Sequence, residues 1–306
     1  MKKILISLLT IGAVGSLAFG ATSAFFSDTE TSTNNKIVAG KLDLKVDSTA
    51  HYAGMVCKNN VWTDEDNDQT NNPRPELLGK TCSGTWTSTD LGPTNQFFNL
   101  SDVKPGDTGE NTLSLTVLDN DAWACIVMKN LKNDENQCTE PESDPQSGND
   151  TTCGNDPVGA GLGELAQNLY FTAWLDQGNQ AGWQNSDNDN TNDDPGEGDN
   201  KWQGPTLEPL LFSNQQGPAS DVLNGKVYAL ADSTNGNYLA GSVTNYIGLQ
   251  WCAGQMTISG NTISCNGATM GNNTQTDSLT ADVSIYVEQR RNNPAFKCAG
   301  ANLLPN

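Results

Sequence analysis

Apolar residues recur at every second position in short runs along this chain. In KLDLKVD, Leu42, Leu44 and Val46 share one face, the spacing of a strand with one side buried. NTLSLTVLD repeats the pattern with Leu113, Leu115 and Val117, and ACIVMKNL is a fuller apolar strand. LYFTAWLD and NYIGLQWCAG read as buried strands that carry aromatic side chains. SLTADVSIYVEQRR is long enough for an extended strand, with a bulge or a change of exposed face expected near Ala281. VKPGDT is a turn, because Pro105 presets φ and Gly106 tolerates a positive φ. Only GLGELAQNL and PASDVLNG have the look of short helices. Many strands separated by turn-rich loops predict an all-β fold, a jelly-roll-like β-sandwich with one or two short helices.

Three stretches rich in Asn, Asp, Pro or Gly interrupt the strands, at about 50–90, 131–163 and 176–204. They read as long polar surface loops. The chain shows no internal repeat and no convincing linker. The expected organisation is a signal peptide over 1–24, a mature N-terminal arm over 25–40, and one jelly-roll domain with insertions over 41–306. About 280 mature residues approach the upper limit for one hydrophobic core.

The amino terminus has the marks of export. Lys2 and Lys3 precede an apolar stretch from Ile4 to Gly20, and Thr22 and Ala24 are small residues at the −3 and −1 positions of a cleavage site. Cutting between Ala24 and Phe25 would leave Phe25 and Phe26 at a free end, ahead of a polar arm. The net charge of −20 and a pI near 4.1 exclude nucleic acid as a partner, since its phosphates would be repelled. No second apolar run reaches the roughly 18 residues that span a bilayer. The expected location is extracellular, with membrane contact only during export.

All eight cysteines fall after the signal: Cys57, Cys82, Cys125, Cys138, Cys153, Cys252, Cys265 and Cys298. An even count in an exported chain favours disulfides, and eight cysteines allow about 105 pairings. Cys57 and Cys82 bracket an acidic loop they would close at its base. Cys252 and Cys265 flank a hairpin turning at Ser259-Gly260-Asn261 and would bridge its two strands. A zinc thiolate site is disfavoured by the lack of any CxxC pair.

The segments AFFSDTE, NNKIVAGKLDLKVD and FNLSDVKPGDTGENTLSLTVLDND, in that order, resemble the camelysin/TasA family of secreted surface proteins. The similarity is close over Ala24 to Val46 and Phe98 to Met128. It implies a SipW-type signal peptidase cutting ahead of the aromatic-Ser-Asp start, and a jelly-roll sandwich. It further implies polymerisation into extracellular fibres of the kind several members form. The family also carries a metallo-endopeptidase label.

The residues do not supply that peptidase chemistry. A zincin needs two histidines one helical turn apart and a glutamate, whereas this chain has one histidine, His51, which reads as a loop residue. A serine triad also needs a histidine, and GxSxG is absent. A non-catalytic protein is expected. Calcium is the one candidate cofactor: Asp64, Asp66 and Asp68, and then Asp187, Asp189 and Asp193, offer oxygens at near-alternate positions in two acidic loops. Both runs lack the glycine and glutamate of an EF-hand, and a solvated acidic loop is the alternative. Trp62, Trp86, Trp183 and Trp202 lie in polar stretches and are the candidates for a matrix-polysaccharide ligand, with pinning of a long loop to the barrel as the favoured alternative, whereas Trp123, Trp174 and Trp251 read as core. The favoured function is a structural subunit that binds its own copies. Its arm would donate a strand through Phe25, Phe26, Ser27, Asp28, Ile37 and Val38 to a neighbour's sheet edge. A camelysin-like peptidase and a monomeric glycan-binding module are the alternatives.

Overall fold

A computed structural model describes residues 27–31, 42–65, 72–148, 150–153, 159–183, 194–212 and 215–304. The strands are β1 (Ser27–Thr31), β2 (Asp43–Tyr52), β3 (Met55–Lys58), β4 (Val61–Asp64), β5 (Trp86–Thr89), β6 (Thr108–Leu118) and β7 (Ala122–Asp134). They continue as β8 (Leu169–Leu175), β9 (Gly217–Pro218), β10 (Lys226–Ala231), β11 (Thr244–Ala253), β12 (Gln255–Ser259), β13 (Thr262–Asn266) and β14 (Ser278–Gln289). Two single-turn helices, α1 (Leu165–Asn168) and α2 (Ala219–Val222), lie within the two sequences expected to be helical.

Two antiparallel sheets face each other. One has the order β1-β14-β7-β10; the other runs β4-β3-β2-β6-β11-β8-β9, with β5 also paired to β2. From β6 onward, each passage β6→β7→β8→β10→β11→β14 changes sheet, apart from short β9 and the separate hairpin β12-β13. This alternation is the jelly-roll type of connectivity. β2 alternates half-exposed and buried residues along its whole length, so Leu44, Val46, Ser48, Ala50 and Tyr52 all point inward. Between the sheets they meet Leu115, Val117, Ile126, Met128, Ile247, Ile285 and Val287. A polar contact is buried along the large sheet, where the Asn111 amide of β6 donates to Ser48 Oγ of neighbouring β2 and to the Phe97 carbonyl. β14 shifts register between Thr280 and Asp282, the irregularity expected near Ala281.

The stretch at 50–90 is more ordered than its composition indicates. Ala53-Gly54 and Asn59-Asn60 both hold positive φ, as two-residue type I′ turns require, so the chain folds back twice to form β3 and β4. Strands of four residues are too short to display a period, which is why MVCK and VWTD pass for loop.

The eight cysteines form four disulfides: Cys57–Cys82, Cys125–Cys298, Cys138–Cys153 and Cys252–Cys265. The last differs from the expected cross-hairpin staple. Cys252 belongs to β11 and Cys265 to β13, so the bond ties the hairpin to the large sheet. Cys125–Cys298 joins the outer face of β7 to the C-terminal segment, beneath which Trp123 and Phe296 form a second small core. No described helix is long and apolar enough to cross a membrane.

Candidate functional site

The sheet edge formed by β14 carries the arm. β14 pairs with β7 on one side and with β1 on the other, in the register Ser27↔Glu288, Asp28↔Val287, Thr29↔Tyr286, Glu30↔Ile285 and Thr31↔Ser284. Ser27 and Asp28 therefore stand in an added edge strand of the chain's own sheet. Ala24, Phe25, Phe26, Ile37 and Val38 lie outside the described residues. Beyond the Ser27 end, β14 runs on to Gln289 and into a cleft of about 710 Å³ lined by Asp121, Trp123, Gln289, Arg290, Arg291 and Pro294. The Arg290 guanidinium lies 4.0 Å from the Tyr238 ring centre and 5.5 Å from that of Trp123. An extended segment entering along the β1 register would meet aromatic and cationic surface there.

His51 is a strand residue of β2, not a loop residue, and sits opposite Glu110 of β6. Its Nδ1 lies 3.3 Å from the Asn200 amide nitrogen, which donates to Glu110 Oε2 at 2.9 Å; its Nε2 lies 3.8 Å from Glu65. Burial lowers the His51 pKa, and burial followed by the Glu65 charge pushes Glu110 up to about 7. The cluster supplies one imidazole, two carboxylates and an amide. The second histidine of a zincin does not exist in the sequence.

Of the two acidic runs considered for calcium, Asp64 alone falls among the described residues. Asp64 ends strand β4, paired with Met55, and its side chain is buried. Asp66, Asp68, Asp187, Asp189 and Asp193 lie outside the described residues. Trp62 and Trp202 are 5% and 8% exposed, and Trp86 and Trp183 pack half-buried against the main core. Trp86 donates to the Val46 carbonyl and Trp202 to the Glu208 carbonyl. Trp62 and Trp202 therefore present no open ring for a sugar to stack on.

Two buried polar anchors escaped the sequence reading. Arg74, 4% exposed, reaches Asp107, the Tyr52 hydroxyl at 2.6 Å, Glu76 at 2.6 Å and Asp102 at 3.1 Å, fixing the VKPGDT turn against the large sheet. Fully buried Asp176 and Glu208 organise the 176–204 insertion: Asp176 accepts from the backbone N–H of Gly198 and Asn200, Glu208 from those of Gly178 and Gln203. The isolated arginine among acidic residues was the only visible signal for the first. No family model, curated protein or solved structure matches the chain.

Proposed function

We propose that this protein is a secreted structural subunit that polymerises into extracellular fibres by exchanging its N-terminal strand between neighbours. The observation that carries this is the pairing of β1 with β14. Five arm residues add a strand to an edge that the rest of the fold leaves open, and beyond Ser27 that edge leads into the cleft at Trp123 and Arg290. A strand added by edge pairing gains affinity from backbone hydrogen bonds, which are the same whether the strand comes from its own chain or from another copy. Closing the arm on its own β14 gives a monomer. Passing each arm to the next subunit gives a head-to-tail contact that does not close. Phe25 and Phe26, freed by cleavage after Ala24, would then fix register at the end of the edge. Four disulfides fit an oxidising, extracellular location, and the resemblance of the arm and of Phe98 to Met128 to camelysin/TasA proteins supports the same reading.

The test is negative-stain imaging and sedimentation of mature protein beginning at Phe25, beside a form lacking Phe25 to Asn35. The full mature form is expected to polymerise, while the shortened form keeps its circular dichroism and stays monomeric. Fibres from the shortened form would reject strand exchange.

A further inference from the structure

The structure brings together five carboxylates that lie far apart in sequence. Glu135 follows the end of β7, Glu142 and Asp150 belong to the loop closed by Cys138–Cys153, Glu164 precedes α1, and Asp277 precedes β14. One oxygen each of Glu135, Glu142 and Asp277 falls within 4.8 Å of the others, and Glu135 and Asp150 oxygens approach each other equally closely. The cysteines beside them are oxidised, so the donor set is oxygen alone.

Donors are too few for these acceptors. Glu135 is 1% exposed and Glu142 fully buried, yet Glu135 Oε2 and Glu142 Oε1 are buried with no hydrogen-bond partner. Glu164 Oε2 and Asp277 Oδ1 are orphaned in the same way. The Thr276 hydroxyl lies 3.2 Å from Glu135 Oε1 and 3.3 Å from Glu142 Oε2 and also bonds the Gln137 carbonyl, so its one proton faces three acceptors. Among the described residues, none of the ion pairs involves these carboxylates. A buried carboxylate oxygen without a donor is expensive, and several around one point are more so because their charges repel.

We infer that Glu135, Glu142 and Asp277, backed by Asp150 and Glu164, bind a calcium ion that locks the 131–163 insertion to the start of β14. Calcium takes six to eight hard oxygen ligands at about 2.3–2.6 Å, which spans oxygens separated as these are. Its tolerance of irregular geometry suits ligands from four chain segments better than magnesium's octahedral demand. An affinity on the order of 0.1–1 mM would suit an extracellular module.

Calorimetric titration of EDTA-dialysed mature protein with calcium chloride tests this, with Glu135→Gln and Glu142→Gln beside the wild type. Calcium is expected to bind the wild type and raise its melting temperature, magnesium to compete weakly, and each variant to lose affinity by about tenfold or more. In EDTA, Glu142→Gln should melt no lower than wild type, because it removes a repelling charge. Amide exchange on the wild type provides a reading that needs no variant: calcium should slow exchange around 135–142 and 163–166. Calcium binding unchanged in both variants, protection confined to other segments, or no calcium binding at all would overturn the site.

Discussion

Two groups of buried acids sit in two insertions of this sandwich and are held in opposite ways. Asp176 and Glu208 are each wrapped by backbone N–H donors, so every carboxylate oxygen of the pair is satisfied. Glu135, Glu142, Glu164 and Asp277 each leave one buried oxygen without a donor. Burial alone does not separate the groups, because both contain fully buried carboxylates. The supply of donors does. The first group is a structural knot that ties Gly178 to Gly198, Asn200 and Gln203; the second is an incomplete shell.

The largest effect should come from the satisfied group. Asp176→Ala strands the buried N–H groups of Gly198 and Asn200, at about 1–3 kcal/mol each, and is expected to cost about 2–5 kcal/mol in urea unfolding. Glu142→Ala in EDTA should cost far less, since it removes repulsion along with two long hydrogen bonds of 3.3 Å. Equal losses for the two variants would erase the distinction. Next in size is calcium itself. A ligand at a hundredfold its dissociation constant stabilises by about 2.7 kcal/mol. That gain should appear in full in wild type and in an Asp176→Asn variant that still folds, and fall to about 1.4 kcal/mol or less in Glu142→Gln.

The sandwich was far more legible in the sequence than either acid group. Leu44 and Val46, or Leu115 and Val117, announce their shared face within three residues, because strand periodicity is local. The bulge near Ala281 was equally readable. Glu135 and Asp277, by contrast, meet only because β7 and β14 pair along their full length, which brings the ends of distant segments together. No spacing rule records that. Trp202 shows a related limit: it stands in a polar run open to either a ligand or a loop-pinning role, and only the structure shows its indole buried and donating to the Glu208 carbonyl. Composition describes a segment's average, whereas burial is decided side chain by side chain. The assembly edge was half legible, in that the arm reads as extended, but its pairing with β14 needed the structure.

pH should separate the two states of the incomplete shell. Glu135 and Glu164 have folded-state pKa values of about 7, raised first by burial and then by neighbouring acids. Their protons are held more tightly in the folded chain than in the unfolded one. Their contribution is complete below the unfolded value near 4.5 and lost as pH rises through 7. In EDTA the protein should therefore lose on the order of 1–2 kcal/mol from this cluster between pH 5 and 8. Calcium binds the ionised carboxylates, so in its presence the loss should shrink or reverse. Melting curves at both pH values, with and without the ion, check this; parallel trends in the two conditions would count against a shared site. Glu110 and Asp176, near 7, and Glu208, near 8, all raised first by burial, add a background common to wild type and Glu135→Gln, so the difference between the two proteins isolates the cluster.

The smallest expected effect falls on the acids that first suggested calcium. Asp64 is paired in β4 with its side chain buried, and the orphaned carboxylate oxygens gather elsewhere, around Glu135 and Glu142. The double substitution Asp66→Asn, Asp68→Asn should then leave calcium affinity within about twofold, the range of an ordinary surface change. A larger loss would move calcium from the buried shell to the acidic run. Orphaned oxygens at Glu135 and Glu142 would then have to be satisfied by shared protons, and their pH dependence should persist unchanged when calcium is added.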